Sequence, residues 1–134
     1  MIQFDHHVKV YYKDIDQMGI VYYSRYFEFF EEARTELLNS IELDVTTIEN
    51  AGIQLPVITS HCDYKKGAIF EQDLNIQTSI LEIPRAKLKI DYCIYSKTPS
   101  QLLAKGYTVH AFIKESRQPV KVPNFILQKM KEHF

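Results

Sequence analysis

Asp14 and Asp16 stand two apart in the run Tyr12-Lys13-Asp14-Ile15-Asp16-Gln17-Met18-Gly19, immediately ahead of a long amphipathic helical pattern. A carboxylate at that place can act on a group held at a helix start, where unpaired N–H groups and the helix dipole attract negative charge. A base or nucleophile beside an oxyanion-stabilising site is what acyl transfer to water requires. Gly19 closes the acidic turn and permits either a positive φ or a close backbone approach. An Asp-x-Asp metal site would need further ligands, and none occurs at an obvious spacing.

The elements that must position these acids follow from periodicity. Ile2, Phe4, His6, Val8, Val10 and Tyr12 alternate with polar residues, which predicts a half-buried strand. If that strand stays extended, Asp14 and Asp16 continue its buried row. Tyr26, Phe30, Ala33, Leu37 and Ile41, widened by Phe27, Phe29 and Leu38, form a helical stripe from about Ser24 to Glu42. A short helical connection is expected over Thr46 to Ala51. Strands follow at Gln54 to Lys65, Leu74 to Ile80, Leu88 to Ile94 and Leu103 to Lys114, and Pro123 opens a terminal amphipathic helix. Short turn-forming links such as Lys66-Gly67-Ala68 and Ile83-Pro84-Arg85 suggest a meander of successive antiparallel strands. The sum is an α+β chain, one domain over residues 1–134, with a five-stranded antiparallel sheet curled around a central helix and a C-terminal helix closing it.

Composition narrows the function classes. A formal net charge of −1 over 134 residues gives no basic excess for nucleic acid. Nine Tyr and eight Phe suit strands and an apolar cleft equally. Cys62 and Cys93 lie far apart in strand-like segments, as buried reduced thiols do. The start Met-Ile-Gln-Phe-Asp-His-His has no signal-peptide pattern and no stretch reaches membrane-spanning length, so a cytoplasmic protein without a membrane span is the expectation.

The element order, together with Tyr12-x-Asp14-x-Asp16-x-x-Gly19-x-Val21-Tyr22-x-x-x-Tyr26-x-x-x-Phe30-Glu31-x-Ala33-Arg34, resembles the hotdog-fold hydroxybenzoyl-CoA thioesterase family. Within it the chain is most similar to the bacterial acyl-CoA thioesterase branch that includes the Tol-Pal-associated members. Later marks are Leu55-Pro56-Val57, Tyr64 and Gly106-x-Thr108-x-His110. The resemblance implies hydrolysis of acyl-CoA or aryl-CoA thioesters by a homodimer or homotetramer, with active sites at the dimer interface and no metal or other cofactor. It assigns Asp16 as nucleophile or general base and the backbone N–H at Tyr23 as the group that polarises the thioester carbonyl. Gly19 would clear room for the thioester, Val21 and Tyr26 would line the acyl pocket, and Arg85 matches a basic loop position that meets the CoA phosphates. Many relatives in this branch carry His where Tyr23 stands; a phenol cannot take an imidazole's role, whereas a backbone contribution survives the change. Asn is common in place of Arg25, and Pro in place of Gly67.

Taken alone, an Asp in a strand-to-helix loop commonly caps a turn, and the whole motif is what favours catalysis at Asp16. Asp14 either raises the pKa of Asp16 by like-charge proximity or hydrogen-bonds loop backbone, and the second is preferred. Tyr26, Phe30 and Ala33 sit on the core stripe. Glu31 and Arg34 have the spacing of an i,i+3 ion pair. His61 and His110 in strands read as structural histidines. Three alternatives stay open: a non-catalytic acyl-CoA-binding hotdog protein, a thioesterase acting on acyl carrier protein, and either a covalent or a general-base route at Asp16. A hotdog hydratase is disfavoured because no Asp-x-Asn-Pro-x-His pattern occurs.

Overall fold

In the computed structural model, which describes residues 1–134, the alternation at the N-terminus becomes β1 (Ile2–Lys9), with Ile2 buried and polar residues outward. The stripe of apolar residues becomes α1 (Tyr23–Ser40), which buries Tyr26, Phe29, Phe30, Ala33, Leu37 and Leu38. Asp44 then accepts hydrogen bonds from the Thr47 N–H and hydroxyl, capping α2 (Val45–Asn50). The sheet is completed by β2 (Ile53–Gln54), β3 (Val57–Tyr64), β4 (Asp73–Ile80), β5 (Lys87–Lys97), β6 (Ser100–Lys114) and β7 (Pro119–Val120). Pro123 precedes α3 (Asn124–His133), which buries Ile126 and Met130. No helix is long and apolar enough to cross a membrane.

The five expected long strands are present, and two two-residue strands, β2 and β7, extend the sheet at the end of β6. The order of the long strands corrects the expected meander. Only β4, β5 and β6 succeed one another as neighbours, whereas β1 pairs with β4, and β3 pairs with β6. The chain leaves β3 by donating the Lys65 and Lys66 N–H groups to the Leu103 carbonyl. It then crosses roughly 14 Å, three inter-strand steps, before entering β4. The crossing wraps the start of α1: Ala68 accepts from the Val21 N–H, Ile69 bridges Ile20, and Glu71 and Gln72 bond Val10. A two-residue hairpin could not have enclosed the helix.

The sheet's inner face carries Leu74, Ile76 and Ile80 on β4 and Leu88, Ile90, Tyr92 and Ile94 on β5, all buried with the α1 stripe in one core cluster, and the buried Thr78 lies in the same row of β4. Each large side chain buried in this way contributes about 1.5–3 kcal/mol. Phe30 stacks on Tyr92 with ring centroids 4.2 Å apart and planes at 10°. Gly106, opposite Tyr92 on β6, makes room for this stack: a Cβ there would collide with the His61 carbonyl and the Phe30 ring.

β3 is different. Its residues are exposed except for half-buried Cys62, and its pairing is to β6 alone. The far ends of the sheet also matter. Lys9 pairs with Asp73 at the end where the acidic loop emerges, while Ile2 pairs with Ile80 at the end leading to Arg85.

Candidate active site

The extended run ends at Lys9, so the buried row does not continue to the acids as expected. Tyr12–Asp14 instead form one turn of 3-10 helix. That turn swings the Asp14 side chain inward, leaving it 2% exposed, with Oδ2 accepting from the Tyr11 N–H at 2.9 Å and Oδ1 paired with Lys13 Nζ at 3.0 Å. The Asp14 carbonyl accepts from the Tyr22 N–H at 2.9 Å, and Arg25 Nε lies 3.9 Å from the carboxylate. Arg25 also grips Glu28 at 2.9 and 3.0 Å, so this cation fastens the loop to α1. Asp14 is a loop-building residue with its acceptors occupied.

Asp16 opens a hairpin. Its N–H donates to the Ile20 carbonyl, its own carbonyl accepts from the Gly19 N–H, and Ile15 bridges Val21. Gly19 takes φ +78°, the left-handed position of a type I turn with a following bulge. No protein atom lies within 4 Å of where a Cβ would stand, so φ rather than crowding by the protein requires glycine here. Asp16 Oδ1 accepts from the Met18 N–H at 2.8 Å, whereas Oδ2 has no partner within the chain.

α1 begins directly after this hairpin. Its N-cap Tyr22 offers no side-chain cap, and neither the Tyr23 nor the Ser24 N–H has a partner within the chain. Such unpaired donors at a helix start form a ready anion site. Asp16, Val21, Tyr23 and Tyr26 line one cleft of about 400 Å³, together with Tyr64 and Lys66. Of the residues the resemblance singles out, these four come together. Gly19 shapes the hairpin without lining the cleft, and Arg85 sits at the opposite end of the sheet, in a recess of mixed charge with Lys87, Lys89, Glu82 and Asp91. Val21 and Tyr26 are 3% and 2% exposed, so they form the floor rather than the walls.

Aromatic chemistry sets the cleft's character. The Tyr23 ring is exposed and packs on Tyr22 with centroids 4.6 Å apart. Tyr22's phenol is raised above its ordinary range, first by the adjoining Tyr23 phenol, then by burial and by the charge of Asp16. Tyr64 donates to the Tyr23 carbonyl at 3.3 Å and meets Tyr26 edge to face. Burial pushes the Tyr64 phenol up to about 12 and the neighbouring Cys62 thiol up to about 11. Cys62 therefore stays a thiol at neutral pH and is no rival nucleophile. Tyr64 reaches the cleft from the end of β3 and Lys66 from the crossing that follows; Tyr64 is marked by the motif, but the crossing's course over α1 has no local sequence signal.

His110 is a structural histidine, as its place in a strand suggests. Its Nδ1 faces the Leu55 carbonyl at 3.0 Å, which can only accept, so Nδ1 carries the proton. Nε2 then accepts from the Thr108 hydroxyl at 2.9 Å, and Thr108 accepts from the Tyr92 hydroxyl at 2.7 Å. The motif Gly106-x-Thr108-x-His110 is thus the inward row of β6. The expected Glu31–Arg34 ion pair is absent; no carboxylate lies within 4.0 Å of Arg34.

An antiparallel sheet wrapped around one long helix is the hotdog architecture. A family model described as the thioesterase-like superfamily matches residues 10–130. The chain belongs to that superfamily and is a thioester hydrolase. It is 27% identical over 124 residues to a putative esterase of Aquifex aeolicus, covering 92% of this chain and 94% of that one. It is 34% identical over 92 residues, 68% of each chain, to the acyl-CoA thioesterase YbgC of Haemophilus influenzae. The structure of a 4-hydroxybenzoyl-CoA thioesterase mutant complexed with 4-hydroxybenzoyl-CoA superposes with a TM-score of 0.87 at 20% identity, covering 96% of this chain and 99% of that one, which is a likeness of fold.

Proposed function

We propose that this chain hydrolyses acyl-CoA or aryl-CoA thioesters to the free acid and CoA, with Asp16 as nucleophile or general base. The observation that carries this reading is the pairing of a carboxylate oxygen free of protein partners with the helix start at Tyr23, whose N–H is unpaired, in one aromatic cleft. The thioester carbonyl oxygen is held at the Tyr23 N–H, which stabilises the negative charge that develops there. In the covalent route Asp16 attacks the carbonyl carbon, the C–S bond breaks, CoA thiolate leaves, and water hydrolyses the resulting anhydride. In the general-base route Asp16 takes a proton from the water that attacks the same carbon. Val21 and Tyr26 support the acyl group from below. The names of two relatives, the acyl-CoA thioesterase YbgC of Haemophilus influenzae and the putative acyl-CoA thioesterase YneP of Bacillus subtilis, favour CoA as the carrier.

The active unit is a homo-oligomer. The eight residues of β3 present a free, solvent-facing edge, which suits antiparallel pairing with a second copy. Antiparallel pairing reverses the sheet direction across the edge, so the Arg85 end of one copy falls at the Asp16 end of the other. Arg85 then supplies a cation for the phosphates of CoA bound at the neighbouring cleft. A sedimentation experiment on the intact protein should return at least a dimer; a stable monomer with full activity contradicts this arrangement.

Thiol release from a panel of acyl- and aryl-CoA esters, with Asp16→Asn as control, tests the reaction. Turnover of at least one ester that vanishes in the variant is the expected result. Binding without thiol release, or unchanged turnover in Asp16→Asn, overturns it. Oxygen-18 from labelled water appearing in Asp16 after one turnover marks the covalent route, and label in the product acid alone counts against it.

A further inference from the structure

A second cavity lies along the other half of α1 and shares no lining residue with the Asp16 cleft. It measures about 370 Å³, within the range of small-molecule sites. Leu38, Ile48, Ile53, Leu88 and Ile90 supply its apolar surface, and Arg34 and His110 its inner polar groups. Arg34 lies eleven residues beyond Tyr23, roughly 16 Å along the helix axis.

Arg34 makes this cavity more than a packing gap. The side chain is half-buried, yet no carboxylate lies within 4.0 Å of it; its charge bears on the Tyr92 phenol and on His110, neither of which is an anion. A guanidinium withdrawn from water and left without a counter-ion carries a desolvation cost that an incoming anion offsets. His110 beside it cannot serve as that counter-ion: it is neutral, and both its ring nitrogens are engaged with Thr108 and Leu55. Glu31 and Glu49 also reach the cavity, but both are exposed, where water and salt screen their charge. The neighbouring Tyr92–Thr108–His110 chain already has its partners. The unmet group is a cation, and the surface around it is apolar.

We propose that this cavity binds the carboxylate of an organic acid with an apolar body, Arg34 pairing the carboxylate while Ile48, Ile53, Leu88 and Ile90 enclose the chain or ring. Two sources share that chemistry: a free carboxylic acid, the class of product that thioester hydrolysis releases, and a thioester whose acyl group ends in a second carboxylate. The binding itself is independent of whether Asp16 is catalytic.

Titration of methyl-labelled protein with octanoate, followed by NMR, tests it. The methyl signals of Ile48, Ile53, Leu88 and Ile90 should shift and saturate, with octanoate binding about ten-fold or more tighter than 1-octanol, as one charge-assisted pair provides. Arg34→Gln should abolish that preference, and Arg34→Lys should retain part of it; the same spectra report whether each variant is folded. The source is read with Asp16→Asn protein, in which the proposed hydrolysis is blocked. Suberoyl-CoA moving these methyls where octanoyl-CoA does not identifies the far end of a bound thioester, and shifts with free octanoate alone identify the free acid. The proposal is overturned if octanol binds as tightly, if Arg34→Gln binds octanoate unchanged, or if neither octanoate nor suberoyl-CoA moves these methyls. Failure of the thioesterase reading would show instead as absent thiol release, with the octanoate titration unaffected.

Discussion

Two polar clusters sit along α1, and they are built on opposite principles. Beneath the middle of the helix, Tyr92, Thr108, His110 and the Leu55 carbonyl form a directed chain in which each donor has an acceptor and each residue with a side chain in the chain is at most 2% exposed. At the helix start, Asp16 leaves one carboxylate oxygen free, and the N–H groups of Tyr23 and Ser24 have no partners within the chain. Saturation gives rigidity, because a buried polar network stabilises only when every member is satisfied. Incompleteness leaves capacity for a substrate. The same contrast separates the two acids of the loop: Asp14 is saturated by Tyr11, Lys13 and Arg25, and Asp16 is not.

The sharpest way to break this contrast is at the open cluster. Asp16→Asn should lower kcat/KM by roughly 10³-fold, about 4 kcal/mol in barrier, with thermal stability nearly unchanged. A large fall in Tm accompanying the loss would make Asp16 a structural residue like Asp14. In the closed cluster the signature reverses. Thr108→Val strands the Tyr92 hydroxyl and His110 Nε2 and should cost about 1–3 kcal/mol in a urea melt, while the rate per folded molecule holds.

Acidification should act on the closed cluster too. Burial, reinforced by the Arg34 charge, holds His110 below its ordinary value of 6.5, against the opposing pull of the Leu55 carbonyl. The unfolded chain therefore takes up this proton more readily than the folded one. The stabilisation is fully present above the ordinary value and is lost as pH falls toward the folded one. Tm should decline as pH falls below the ordinary histidine value of about 6.5, and His110→Gln should flatten that slope. The smallest effect is expected at Gly19, where Ala must adopt φ +78°. Gly19→Ala should cost about 1 kcal/mol in stability, read by the same melt.

Much of this was legible in the chain itself. The spacing from Tyr26 to Ile41 identified α1 and its buried face, because helical periodicity is a local property. The run from Asp14 to Tyr23 pointed to an acid at a helix start for the same reason. What periodicity could not reach was non-local. The pairing of β3 with β6 depends on an eight-residue crossing whose purpose, enclosing the helix, involves residues forty positions away. The 3-10 turn at Tyr12–Asp14 broke the expected alternation because Asp14 gains more from the Tyr11 N–H and two cations than an extended strand would offer it. Arg34, whose spacing from Glu31 suggested a surface ion pair, instead faces the second cavity. A helical wheel gives spacing, and tertiary packing decides which partner a long side chain meets.

The most direct measurement compares the two acids within one loop. Single-turnover rates of acyl-CoA hydrolysis would be recorded for Asp14→Asn and Asp16→Asn, each corrected for the fraction folded. The account predicts that Asp14→Asn retains most of the rate while losing stability, and that Asp16→Asn loses the rate while keeping its stability. Equal rate losses in the two variants would contradict it.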